Sequence, residues 1–180
     1  MENRDIILEN ARHLICDNGF NKVTVKMICE KSKISRKTFY AFYQDKYDIL
    51  EQILIKDVIN ELDNLIDKFG KIELNRPIIL EAMYQRIYEN RKFYRKIVKT
   101  QAGDAMEVYL LHHLIKINHK IFIDAQMDDM ERDYATYFYA SAQIMLIKKW
   151  ILDDYILTPV EMADNYQRWA VSAMVSNYLM

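Results

Sequence analysis

The stretch TVKMICEKSKISRKTFYAFYQDKYDIL, residues 24–50, sets five lysines and one arginine among aromatic rings, with no glycine or proline to interrupt them. Fixed cations beside amphipathic rings suit the capture of a polyanion, whose phosphates the cations neutralise. Residues 20–46 carry Lys22, Lys26, Lys31, Lys33, Arg36, Lys37 and Lys46 against Glu30 and Asp45, which makes this piece +5 in a chain of net charge −1 and leaves −6 for the rest. The chain is thus a basic head on an acidic body, with a merely solvated charged face as the plainer alternative.

Other chemistries find less support. His112 and His119 lie seven apart on one helical face with His113 beside them, but no cysteine or carboxylate cluster completes a metal site. There is no glycine-rich phosphate loop, nucleophile elbow or pair of facing acids, so the expectation is a protein that is not an enzyme and needs no cofactor or metal. Cys16 and Cys29 sit on apolar helical faces without a CxxC partner and are expected as buried, reduced thiols. No apolar run reaches the roughly 18 residues of a membrane span, and MENRDIILENAR lacks the apolar centre of a signal peptide, so a cytoplasmic protein without a membrane partner is expected.

The elements that must hold the basic residues read as helices throughout. Half the chain, 51%, is apolar, with three glycines and two prolines in 180 residues, a composition that fits a helical globular protein. Ile7, Ala11, Leu14 and Ile15 mark a first helix over 4–18, closed by Gly19. Thr24 is placed to cap a second helix ending near Ser32, and Ser35 a third, with Phe39 and Phe42 inward and Arg36, Lys37, Thr38 and Tyr40 outside. Asp45 and Asp48 open a fourth helix that keeps its apolar spacing to Gly70. Further helices are expected after Pro77 to Tyr88, over 91–100, 104–124 and 128–154, and from the cap Thr158-Pro159 with Glu161 onward. The sum is an all-α chain of about nine helices without a convincing strand.

Two short helices joined by about three residues, the second opening on polar and basic side chains, form a helix-turn-helix, whose second helix enters the major groove. At this point the sequence resembles the tetracycline-repressor (TetR) family of bacterial one-component regulators. The resemblance lies in G19-F-x-x-V-T-V-x-x-I28-C, I34-S-R-K-T-F-Y-A-F-Y43 and D45-K-Y-D-I-L50, and covers roughly residues 4–54. It implies double-stranded DNA as partner, with Thr24, Tyr40 and Lys46 on phosphates, Arg36, Lys37 and Thr38 facing the groove, and Lys33 and Ser35 beside them. Two positions depart from the family pattern: Ser32-Lys33 stands where a small residue and glycine are usual, and Lys37 where glycine is common.

The division expected is a DNA-binding head, residues 1–48, and a sensing and dimerising body, residues 49–180, with the fourth helix from about 45 joining them. The body is rich in tyrosine, which fits either a large core or a partly polar pocket. A small organic effector is expected in a cavity lined by some of Tyr84, Tyr88, Phe93, Tyr109, His113 and Tyr137. YENRKFYRKIV (88–98) and IKKWILDDYILTPVEMA (147–163) resemble the branch of the family that includes activators near dihydroxyacetone-kinase genes. Small residues among the apolar ones of the last two helices (Ala135, Ala142, Ala163, Ala170, Ser172, Ala173 and Ser176) suit a tight core or a homodimer interface, and the resemblance favours the interface. The alternatives left open are a helical protein-binding adaptor or a small-molecule-binding protein without operator recognition.

Overall fold

A computed structural model describes residues 3–69, 78–123, 125–172 and 176. Gly70, Pro77, Asp124 and Ala173, on which expectations from the sequence fall, lie outside them. Nine helices and no strand occur among the described residues. In the head they are α1 (Asn3–Asn18), α2 (Val25–Ser32) and α3 (Arg36–Phe42), with a 3₁₀ turn, Phe20–Lys22, between the first two. The long helix α4 covers 46–69 and is made of Lys46–Leu54, a π-helical segment Ile55–Ile59, and Asn60–Phe69. In the body follow α5 (Ile78–Glu89), α6 (Arg91–Ile97), α7 (Gln101–Phe122), α8 (Asp129–Leu152) and α9, which runs from Pro159–Tyr166 into a π-helical segment Gln167–Val171.

Local chemistry accounts for most of these boundaries. Gly19 takes φ 80°, open to glycine at no steric cost, and ends α1. Asp45 accepts from the amides of Tyr47 and Asp48 at 2.7 and 2.9 Å, while the Asp48 carboxylate takes the Gln44 amide at 2.9 Å. Thr158 and Glu161 form a complete reciprocal cap on α9, with Pro159 in the first turn. One start differs from the sequence expectation: α7 begins at Gln101, not Asp104, because Thr100 caps it through the Ala102 amide at 3.2 Å. That first turn lies so close to the end of α6 that a Cβ on Gly103 would stand 2.8 Å from the Val98 carbonyl carbon, hence glycine there.

In the head, Ile7, Ala11 and Ile15 of α1 meet Ile28 of α2, Phe39 of α3 and Ile49, Leu50 and Ile53 of α4, all buried. In the body, α7 packs along α8 and α5 along α9, while the first half of α4 also lies on α7. Trp150 of α8 is the centre of an aromatic cluster, with Tyr84 edge-on at 5.4 Å, Tyr88 stacked at 6.3 Å and Tyr155 edge-on at 4.8 Å. Its indole N–H donates to the Leu157 carbonyl at 2.8 Å, which fixes the turn between α8 and α9.

Candidate nucleic-acid interface

Helices α2 and α3 are each opened by a side-chain cap. The Thr24 hydroxyl accepts from the Met27 amide at 3.3 Å, and the Ser35 hydroxyl from the Thr38 amide at 3.0 Å, with Thr38 Oγ1 2.9 Å from Ser35 Oγ. The turn between them is made by Lys33 in the left-handed region, φ 54° and ψ 42°, and the Ile34 amide N–H donates a hydrogen bond to the Cys29 carbonyl at 3.0 Å. Lysine therefore occupies the conformation that the family's usual glycine would adopt without strain.

Phe39, fully buried, pins α3 to the head. On the other side Arg36 and Lys37 are exposed and make no hydrogen bond or ion pair among the described residues, and Tyr40 is 57% exposed with its ring edge-on to Phe39 at 5.3 Å. A first turn with two unpaired cations and a tyrosyl tip can meet both base edges and phosphate. Phe42 departs from the inward position expected of it: it is 41% exposed, because Tyr43 one residue on turns into the core instead. There the Tyr43 hydroxyl donates to the Arg4 carbonyl at 3.2 Å.

Lys46 has a role the sequence did not disclose. Its ammonium donates to the carbonyls of Phe20 and Val23 at 3.0 and 3.2 Å and lies 4.5 Å from the centre of the Phe20 ring, tying the start of α4 to the loop before α2. Burial pulls its pKa below the usual lysine value. Two of its three N–H donors are thus committed, and one is left for a phosphate. Among the other cations, Lys26 pairs with Glu30 at 3.8 Å, while Thr24 and Lys33 are exposed. Both thiols are held above their usual pKa by burial, Cys29 in the core and Cys16 half-buried.

The six residues proposed for an effector cavity have contacts in different places. Tyr84 and Tyr88 flank Trp150; Tyr84 is fully buried, and its hydroxyl has no partner among the described residues. Phe93 is buried under the Arg12 guanidinium, 5.3 Å from its carbon, on the side of α1. Tyr109 and His113 are half-buried on α7, with His113 Nε2 3.2 Å from Glu51 of α4. Tyr137 departs from the expectation, since it is 55% exposed on the outer side of α8. His119 pairs with Asp133 at 3.2 Å, and no group of three or more metal-ligating side chains occurs among the described residues. No helix among them is long and apolar enough to cross a membrane.

A buried charge cluster, with only a faint trace in the sequence, joins three helices. The Arg12 guanidinium of α1 meets the Asp57 carboxylate of the π-helical segment with two bonds, 2.7 and 2.8 Å, and the Tyr94 hydroxyl of α6 donates to Asp57 Oδ2 at 3.1 Å. Asp57 follows Ile49 and Ile53 at four-residue spacing, so a charge on an apolar line was the available signal.

Residues 7–53 match the family described as "Bacterial regulatory proteins, tetR family", and residues 76–171 the family described as "Transcriptional regulator C-terminal region". The chain is 25% identical over 156 residues to the "Uncharacterized HTH-type transcriptional regulator YxbF" of Bacillus subtilis (strain 168), a match covering 81% of this chain but 39% of that protein. It is 23% identical to the "HTH-type dhaKLM operon transcriptional activator DhaS" of Lactococcus lactis subsp. lactis (strain IL1403), over 82% of this chain and 78% of that one. A solved structure of the dihydroxyacetone kinase operon activator DhaS superposes with a TM-score of 0.71 at 20% identity, covering 98% and 97% of the two chains. That of NalD, a repressor of a multidrug efflux pump in Pseudomonas aeruginosa, gives 0.64 at 14% identity over 98% and 95%. With more than half of its length matched to a regulator family and the capped helix-turn-helix in place, the chain belongs to the TetR family of bacterial transcriptional regulators.

Proposed function

We propose that the protein acts as a homodimer on a near-palindromic DNA operator, with α3 of each subunit in a major groove. The observation that carries this reading is the outer face of α3, where Arg36, Lys37 and Tyr40 stand exposed and unpaired on a helix anchored by buried Phe39. Thr38 and Arg36 with Lys37 read the groove; Thr24, Ser35, Tyr40, Lys33 and the remaining donor of Lys46 hold the backbone. Residues 1–48 form the reading head and 49–180 the body, with α4 shared between them. Binding to operator and to scrambled DNA across a salt series tests it. Specific, salt-dependent retention of the operator that Arg36→Ala reduces selectively supports the reading, and equal affinity for both sequences overturns it.

The dimer is supported by a stripe on the outer side of α8. Met130, Tyr134, Tyr137, Phe138 and Met145 are 48–74% exposed at helical spacing, and Trp169 of α9 is 56% exposed. An apolar stripe of that length on a helix calls for a covering surface, and a second copy supplies one with two-fold symmetry. An organic effector held in the body near Tyr84 is supported by that residue's buried, unpartnered hydroxyl, since such a group calls for a water or a ligand. Isothermal titration of candidate metabolites, with and without Tyr84→Phe, tests it.

A further inference from the structure

We infer that Arg12, Asp57 and Tyr94 are positioning residues for operator binding: they form the joint that fixes the angle of the reading head on the body. The inference rests on the DNA-binding reading above but concerns residues that do not face DNA. Arg12 and Asp57 are 7% and 4% exposed and Tyr94 is 1% exposed, so none of them can reach a phosphate. Three elements meet there and nowhere else in the hydrogen bonds described: α1, which belongs to the head; α4, which runs through both parts; and α6, which belongs to the body.

The bonding geometry is what makes the cluster a joint and not merely a filled core. A guanidinium and a carboxylate joined by two parallel bonds fix both distance and angle, whereas apolar contacts allow sliding at little cost. The Arg12 guanidinium is also seated over the Phe93 ring at 5.3 Å, so it is held on α6 as well as on α4. Asp57 sits inside the π-helical segment Ile55–Ile59, the one irregular turn of α4. Such a turn rotates one residue out of α-helical register, and here it falls between the buried Ile53 and Leu62, midway along α4. Beside the joint, α1 and the α5–α6 turn part around a cleft of about 280 Å³ lined by His13, Cys16, Asn90 and Lys92 among others. Arg12 and Phe93 line this cleft as well, so the triad sits at the edge of the seam it bridges.

A reader that must place two recognition helices at a fixed spacing depends on this angle, while loose attachment to any duplex does not. The test uses the full chain with three variants. Asp57→Asn removes the charge while keeping the shape, Arg12→Lys keeps the charge but loses the two-bond fork, and the double variant Arg12→Met/Asp57→Leu fills the site with apolar groups. Replacing a buried ion pair by apolar groups of like volume commonly preserves stability, so the double variant is expected to fold with the parent's helicity, its melting temperature lowered only by the Tyr94 hydroxyl that loses its acceptor. Its operator affinity is expected to fall about tenfold or more, with affinity for scrambled DNA within about twofold of the parent and an unchanged salt slope. Arg12→Lys should fall between the two. Spin labels on exposed Ala41→Cys and Lys116→Cys, in a Cys16→Ser background and diluted into excess unlabelled chain so that a dimer carries them on one protomer, should give one narrow head-to-body distance in the parent and a broadened one in the variants. A folded double variant with the parent's operator affinity and distance distribution overturns the joint. If the parent itself does not discriminate operator from scrambled DNA, the DNA-binding reading fails, and the distance measurement still decides the joint.

Discussion

The outer face of α3 and the outer face of α8 are both left uncovered by the single chain, and they are uncovered in opposite ways. On α3 the exposed groups are cations and a phenol on a helix less than two turns long beyond its cap, Arg36, Lys37 and Tyr40. On α8 they are Tyr134, Phe138 and Met145 along a helix of 24 residues. A short charged face gains little from burial and much from counterion release, so it suits a polyanion held reversibly. A long apolar face gains from removal of its area from water, and so suits a permanent partner. Unpaired surface thus comes in two kinds, and the physical chemistry of each names a different class of partner.

The sharpest way to break the comparison is to make the second face resemble the first. Phe138→Glu/Met145→Glu places two like charges on the C-terminal half of the α8 stripe, and truncation of interface anchors costs about 2 kcal/mol or more each. The dimer dissociation constant should rise by about 100-fold or more, read by sedimentation velocity, and cooperative operator binding should go with it while α3 remains intact. A variant that still sediments as a dimer would place the interface elsewhere.

On the α3 side, Arg36→Ala should lose about 1–3 kcal/mol on operator DNA and much less on scrambled DNA, as expected when a base contact is removed. Lys46 divides the same experiment differently. Lys46→Met releases the Phe20 and Val23 carbonyls and should lower the melting temperature of the head; a salt slope reduced by about one in addition would establish its phosphate contact.

A smaller effect sharpens the account of the turn. Lys33→Gly relieves a left-handed lysine at φ 54° and should raise stability by about 0.5–1 kcal/mol, while removing one cation from the basic face. Urea unfolding and a non-specific DNA titration should therefore move in opposite directions, one up and one down.

The smallest effect is on α9. Hydrogen bonds from the Thr158 amide, then from its hydroxyl, hold the Glu161 carboxylate below the usual range. A carboxylate whose pKa is lower in the folded state adds stability that is complete above its unfolded pKa, near 4.5, and lost as pH falls through the folded value. The melting temperatures of the parent and Glu161→Gln should accordingly differ at pH 7 and converge on acidification below that range. Equal melting temperatures at pH 7 would assign the cap to the Thr158 hydroxyl alone.

Helix order, the caps at Thr24, Ser35, Asp45 and Thr158, and the basic character of the α2–α3 segment were legible in the chain, because each depends on residues within four positions of one another. The signature over Gly19 to Leu50 likewise carried the family, since a turn, a recognition helix and its anchor are a local unit. Tertiary structure decided the rest. Tyr43 took the inward place expected of Phe42 because which neighbour is buried depends on where α1 offers an acceptor, the Arg4 carbonyl 39 residues away. Tyr137 came to the outer face of α8, while Phe93 and Tyr94 turned to α1, since the tyrosine-rich composition fixes how much ring surface must be placed but not against which helix. The pairing of Arg12 with Asp57 joins residues 45 apart in the chain. No local pattern encodes such a bond, because two charges enter an apolar interior only after the surrounding helices have brought them together.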